Sequence, residues 1–214
     1  MRSILYLFVV VMLLGCDTTK NMPGGSDKGW ISLFDGQSLT GWIISDDPAS
    51  VRVEDGSIVT NGNRAHAFYN GPVQDHNFKN FEFKAEVMTF PGSNSGIYFH
   101  TKYQAEGWPA KGYEVQVNNS QSDWRRTGSL YSIVDVKETY VNDNEWYTEY
   151  IKVQGKRVIV KINDIVVVDY TEPEMPLREQ GSEERLISSG TFALQAHDPG
   201  SKVKYRNIMV RPLP

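Results

Sequence analysis

The 214-residue sequence contains one cysteine, Cys16, and only four histidines. A lone thiol forms no disulfide within the chain and no thiolate zinc site, so core burial must hold the fold together. Charge carries little information either. Lys and Arg number 22 against 26 Asp and Glu, a net charge of −4 that is evenly mixed and lacks the basic patch of a nucleic-acid partner. Beyond residues 4–14 there is no long apolar run, and that run is shorter than the roughly 20 residues a spanning helix needs. Helical periodicity is missing nearly everywhere. The segment 174–185, broken by Met175-Pro176 and Gly181, reads as a loop. No repeat of propeller or solenoid period is present.

What the N-terminus does have is the layout of an export signal: Arg2, then the apolar stretch from Ile4 to Leu14. It closes on Leu13-Leu14-Gly15-Cys16, which resembles the lipobox of bacterial lipoproteins. The resemblance implies that residues 1–15 are removed and that Cys16 becomes the lipidated first residue. Residues 16–28, rich in Asp, Thr, Lys, Asn, Gly and Ser, then form a flexible tether. Two or more acyl chains anchor a protein firmly. The expected location is the bacterial cell envelope, periplasmic or surface-facing, with membrane contact through the lipid alone. Acylation would also take the only thiol out of catalysis.

Residues 29–214 fit one domain. From Trp30 onward, short β-branched and aromatic runs alternate with Gly, Asn, Asp and Pro. In Asn80 to Met88, Phe81, Phe83, Ala85 and Val87 share one face, while Glu82, Lys84 and Glu86 form a wet one. The stretches 150–153, 157–162 and 165–170 read as a three-stranded meander turning at Gly155 and Asn163-Asp164. Residues 190–196 and 202–210 supply two closing strands. A dozen or so short strands predict an all-β fold, a two-sheet antiparallel β-sandwich of jelly-roll type.

Between Phe90 and Trp146 lie eight Tyr and Trp residues, Trp124 and Tyr131 among them, interspersed with Gly, Asn, Ser, Arg and His. Flat rings beside polar groups suit a sugar, with C–H faces to stack and hydroxyls to hydrogen-bond, although most such rings in any sandwich serve the core. Three strands have readable faces. Glu114, Gln116 and Asn118 point one way, opposite Tyr113, Val115 and Val117; Gly96, Tyr98 and His100 share a face; so do Thr191, Ala193, Gln195 and His197. If those strands are neighbours, Glu114, His100, Gln195 and His197 converge on one surface.

Several motifs then stand in a recognisable order: Trp30 to Gly36, Leu39 to Trp42, Asn94-Ser95-Gly96-Ile97, Gly112 to Gln116, Thr127 to Tyr131, Asn144-Glu145-Trp146, Leu194 to His197 and Tyr205 to Ile208. Together they resemble the 3-keto-disaccharide hydrolase family, a concanavalin A-like (lectin and glucanase) sandwich, over residues 29–212. Tyr98-Phe99-His100 and the Asn163-Asp164 turn depart from the family's usual residues. The resemblance implies cleavage of a glycoside already oxidised at sugar C3, by proton abstraction at C2, elimination of the C1 substituent and hydration. That route needs a base, an enolate stabiliser and an acid. Glu114 is expected as base and His197 or His100 as acid or enolate donor, with Arg125 or Arg126 as stabiliser. Asn94, Tyr98, Tyr113, Gln116, Asn118, Trp124, Arg125, Tyr131 and Gln195 are expected to contact the sugar. No cofactor is demanded; a divalent metal held by Glu114, His100 and His197 is one option. Two other readings stay open: a non-catalytic carbohydrate-binding module, and a laminarinase-type hydrolase in which Asp123 or Asp198 supplies a second carboxylate.

Overall fold

The computed structural model describes residues 28–214; the expected export signal, Cys16 and nearly all of the expected tether lie outside the described residues. Thirteen strands form two antiparallel sheets, as the alternation predicts. The larger sheet runs, in spatial order, β11 (Ile165–Thr171), β10 (Arg157–Ile162), β9 (Tyr147–Gln154), β6 (Phe81–Thr89), β13 (Lys202–Pro212), β4 (Ser57–Asn61) and β3 (Val51–Glu54). A short β1 (Ile31–Ser32) also pairs with β13. The smaller sheet runs β2 (Trp42–Ile44), β5 (Ala65–Tyr69), β12 (Thr191–Ala196), β7 (Ser95–Thr101) and β8 (Tyr113–Val117). Residues 174–185 are irregular, as expected.

The core between the sheets follows from the two-residue period. Phe81, Phe83, Ala85 and Val87 are all buried, and Phe192 of the opposite sheet packs 4.7 Å from Phe83 and 4.9 Å from Phe81, centroid to centroid. Each such ring contributes about 1.5–3 kcal/mol by leaving water. The wet face of β6 is drier than its composition suggests. Glu82 is buried because the Arg211 guanidinium and the Tyr150 hydroxyl (2.7 Å) both bind its carboxylate; Glu86 pairs with Arg206 at 2.6 Å.

In the smaller sheet β5, β7, β8 and β12 carry buried side chains on both faces. Ile97, Phe99, Val115, Phe192 and Leu194 face the core, while Tyr98 and Ala193 form a separate apolar cluster with Phe68 on the opposite, open face. The adjacency of β8, β7 and β12 sets the site. Tyr98 lies across from Glu114 and from Ala193, Gly96 across from Gln116, and Gln195 across from His66.

Candidate active site

A cleft of about 350 Å³ opens over β8, β7 and β12. Its floor is built by strand alternation: Glu114 and Gln116 from β8, Tyr98 from β7, and Gln195 from β12, with Asn94 and His197 at the strand ends. Residues 128–131 run beside the free edge of β8, held by Gly128 N to Gln116 O and Tyr131 N to Glu114 O, which sets Tyr131 at the rim. Trp108, Asp123 and Arg185 come from loops.

Glu114 is the centre. It is 5% exposed, and Gln195 Nε2 donates to its Oε1 at 2.9 Å. The same nitrogen donates to Tyr98 Oη at 3.0 Å, and that hydroxyl is in turn hydrogen-bonded to the Glu114 carboxylate. Burial pushes the Glu114 pKa up; the charge of Arg185 and the hydrogen bonds from Tyr98 and Gln195 pull the other way and do not cancel it. Gln195 Oε1 is buried and has no partner among the described residues, so a ligand hydroxyl would meet an acceptor there. Gln116 Nε2 reaches Asn94 Oδ1 at 3.1 Å, which orients both amides. Gly96, beside them on β7, leaves the space that the Glu114 side chain fills: a Cβ there would stand 2.9 Å from Glu114 Cγ.

His197 approaches from the end of β12. Its Nδ1 lies 2.7 Å from Asp198 Oδ2, which fixes the ring and leaves Nε2 for a ligand. Burial raises the Asp198 pKa, but hydrogen bonds from His197, Ser201 and Gly200 outweigh it and hold the carboxyl below its ordinary range. Trp108 stacks obliquely on His197 at 5.2 Å and edge-on against His66 at 5.6 Å, forming a wall. Arg185 is steadied by the Tyr131 carbonyl at 3.2 Å and the Tyr131 ring at 5.4 Å.

The cleft therefore gathers Asn94, Tyr98, Glu114, Gln116, Tyr131, Gln195 and His197, and leaves out six residues expected there. His100 has a positive φ of 55° at a bulge where β7 gains a residue on β12. The bulge turns its ring away: Nε2 meets Lys79 O at 2.9 Å, Nδ1 accepts from Ser188 N at 3.2 Å, and Phe81 and Phe99 flank it. Burial lowers its pKa to about 4. Tyr113 packs on Phe99 at 5.5 Å, with its hydroxyl tied to Glu172 and Arg178. Asn118 spends its amide on the carbonyls of Asp123 and Arg125, both at 2.9 Å, pinning a loop. Trp124 is half-exposed outside the cleft and stacks with Arg125 at 4.8 Å. Arg125 is taken up by Asp135 at 3.2 Å, and Arg126 by three acceptors in its own loop. Neither arginine lines the cleft.

Sequence reasoning does not reach Arg185, which sits in an irregular segment and carries no periodic signal. Trp108 stands out in the sequence only as one aromatic among many. The suggested metal set does not assemble, because His100 faces away from Glu114. Among the described residues no group of three or more His, Cys, Asp or Glu side chains is placed to hold a metal ion.

A comparison with curated proteins found no match. Among solved structures, a Parabacteroides distasonis ATCC 8503 protein whose name carries a provisional glycosyl hydrolase assignment superposes with a TM-score of 0.74 at 23% identity, covering 87% of this chain and 94% of its own. The carbohydrate-binding module CBM66 from Bacillus subtilis gives 0.51 at 12% identity, over 86% and 95%. The exoplasmic/lumenal domain of VIP36, in a Ca²⁺- and mannose-bound form, gives 0.57 at 10% identity, over 86% and 90%. These likenesses establish the lectin-like jelly-roll sandwich. The family model of the 3-keto-alpha-glucoside-1,2-lyase-like domain matches residues 29–211, and the chain belongs to that family.

Proposed function

We propose that the protein cleaves glycosides that carry a ketone at sugar C3, by elimination across C2 and C1 followed by hydration. The observation that carries this reading is the setting of Glu114: a buried carboxylate whose basicity is raised by burial and whose direct hydrogen-bond partners are neutral. The C3 ketone acidifies the C2 proton. Glu114 takes that proton, and the C–H electron pair becomes an enolate with its charge on the C3 oxygen. The Arg185 guanidinium lines the same cleft and supplies stabilising charge and donors; such a donor is worth about 10²–10³ in rate. The enolate then collapses, forming C1=C2 and breaking the bond from C1 to the departing oxygen. His197, oriented by Asp198, protonates that oxygen. Water adds to C1 of the enone while the proton on Glu114 returns to C2, so the net reaction is hydrolysis. Stopping before water adds leaves a lyase.

Asp123 in the cleft wall favours a second reading, a conventional glycosidase in which Glu114 is the acid and Asp123 the base. Against it, Asp123 accepts from Arg125 N at 3.0 Å and lies 3.6 Å from the Arg125 guanidinium, a structural engagement. The N-terminal pattern supports action at the cell envelope on a lipid tether.

The test incubates the purified domain with a nitrophenyl 3-keto-glucoside and with its unoxidised parent, with and without chelator, in deuterated water. Release from the keto substrate alone, with deuterium entering C2, and a loss of at least about 10²-fold in Glu114→Gln support the elimination. Equal release from the parent without C2 exchange selects the conventional glycosidase. Sugar binding with no release from either substrate leaves a carbohydrate-binding module.

A further inference from the structure

A second cleft, of about 310 Å³, lies on the same open face of the smaller sheet, over β2 and β5. The two clefts are divided by the segment 102–111, which lies across the sheet. Tyr103 stands edge-on to Phe68 at 5.5 Å, and Trp108 stands edge-on to His66. His66 and Phe68 are two residues apart on β5, about 7 Å along the strand, so the clefts are neighbours. Asp46 holds the ridge down: its amide donates to Ala105 O at 3.0 Å and its carboxylate accepts from Gly107 N at 3.1 Å.

Three observations mark this cleft as a binding site. Thr101 in its wall is 1% exposed, and its hydroxyl has no partner among the described residues. The Tyr103 ring is half-exposed at the rim. The third is backbone strain. Gln74, Asp75 and His76 form a left-handed turn, φ 53°, 48° and 47°, closed by Asn77 N to Gln74 O at 2.9 Å. Consecutive non-glycine residues in this conformation crowd Cβ against the carbonyl oxygen, and such strain gathers at ligand sites. Here it presents Asp75, His76 and Asn77 to the cleft. Lys102 and Lys111 stand in the same lining as Asp75, but Lys102 is offset by Glu184 at 3.9 Å and the Lys111 ammonium is turned onto Ser189 O at 2.5 Å, so with Asp75 opposing them neither sign dominates.

We propose that the second cleft binds a neutral sugar ring, which stacks on Tyr103 and shares hydroxyls with Thr101, Asp75 and Asn77. An aromatic face with an orphan hydroxyl, a carboxylate and an amide meets the alternating apolar and polar surface of such a ring. The absence of a dominant charge disfavours an anion. This assignment does not depend on the chemistry of the first cleft.

The experiment uses ¹⁵N-labelled Glu114→Gln protein, in which turnover is blocked. It is titrated at millimolar concentrations with cellobiose, laminaribiose, maltose and, for comparison, galacturonate. Saturable amide shifts at Thr101, Lys102 and Asn77 with a neutral disaccharide are expected. Tyr103→Ala should weaken that binding about three- to tenfold, from the usual worth of a ring contact. Asp75→Gly should weaken it too, while raising Tm by about 2–4 °C as the left-handed strain is relieved. Shifts confined to residues of the first cleft, binding unchanged in Tyr103→Ala, or tighter binding of galacturonate than of any neutral sugar would overturn the proposal. Because the titration reads binding in a turnover-blocked protein, its outcome is separate from whether the first cleft cleaves anything.

Discussion

Replacing Gly96 by alanine would put a methyl carbon 2.9 Å from Cγ and 3.1 Å from Cδ of Glu114, and closer still to Oε1. Ordinary contact begins at 3.4 Å, so Cγ must retreat by about 0.5 Å and the carboxylate oxygen by more. The side chain is not free to swing out. It is buried, and Gln195 and Tyr98 hold its carboxylate. The carboxylate therefore shifts by up to about 1 Å relative to a bound substrate, a misplacement that costs on the order of 10²-fold in rate. The stability cost is separate. Overpacking costs about 1–3 kcal/mol, partly offset by the better strand conformation of alanine, so Tm should fall by about 2–9 °C. Nitrophenol release from a 3-keto-glucoside reports kcat and KM, and calorimetry reports Tm. Shortening the partner in the double variant Gly96→Ala/Glu114→Asp should return much of the lost Tm without restoring kcat, because the carboxylate is then withdrawn by one methylene. If Gly96→Ala keeps wild-type kcat/KM while Glu114→Gln is inactive, the placement of the base beside β7 is wrong.

Four other outcomes are expected. Tyr113→Phe strips the hydroxyl from Glu172 and Arg178, leaving a buried carboxylate short of a donor; it should cost about 1–3 kcal/mol in denaturant melts and leave KM unchanged. A shift in KM would return Tyr113 to the sugar site. Glu149, fully buried with no partner for either carboxylate oxygen among the described residues, has its pKa raised well above 4.5 by burial. The folded state favours its protonated form, so its drag on stability begins as pH rises past 4.5; Glu149→Gln should raise Tm more at pH 8 than at pH 5, and an equal effect at both would refute this. His66 and His100 have the opposite sign. Burial lowers both from 6.5 to about 4, so their contribution is complete above about pH 6.5 and lost as pH falls through 4; each accounts for up to about 3 kcal/mol, and His66→Phe should flatten the acid limb of a Tm-against-pH curve. Finally, Cys16→Ser should abolish labelling by radioactive palmitate and move the protein from the membrane to the soluble fraction; unchanged labelling would place the acyl chain elsewhere.

Strand alternation makes most of the site legible in the sequence. The acid–amide pair Glu114 and Gln116, the Tyr98 face of β7 and the Gln195 face of β12 all project as the two-residue period requires, and β8, β7 and β12 are neighbours. The period fails where the backbone breaks it. His100 follows two correctly placed residues but sits at a bulge, and a histidine in left-handed conformation leaves no trace in the pattern. Asn118 lies one residue beyond the end of β8, where its amide serves the loop instead of the face. Tyr113 is on the core face by the same alternation that places Glu114, and its polar tip obscures that assignment. Arg185 reaches the cleft from a segment without regular structure, where position depends on tertiary contacts that sequence spacing does not encode. Glu149 shares the inward face of β9 with Tyr147, Ile151 and Val153; the sequence pattern starts that strand only at Tyr150, which hides it.

The bulge at His100 has a consequence for how β7 divides its labour. If β7 ran on as a regular strand through His100, Thr101 would point into the core; the bulge absorbs one residue, so Thr101 pairs with Thr191 and joins the wall of the second cleft, while Gly96 and Tyr98 serve the first. One strand thus has two phases, joined at a single left-handed residue. Deleting His100 would leave a plain ladder with Thr101 still opposite Thr191, whereas inserting one further residue after it would turn everything from Thr101 to Tyr103 by half a pleat and dismantle one cleft, with the register of Gly96 and Tyr98 against β8 intact. The two halves of the open face can therefore be altered separately, by changes in length as well as by changes in residue.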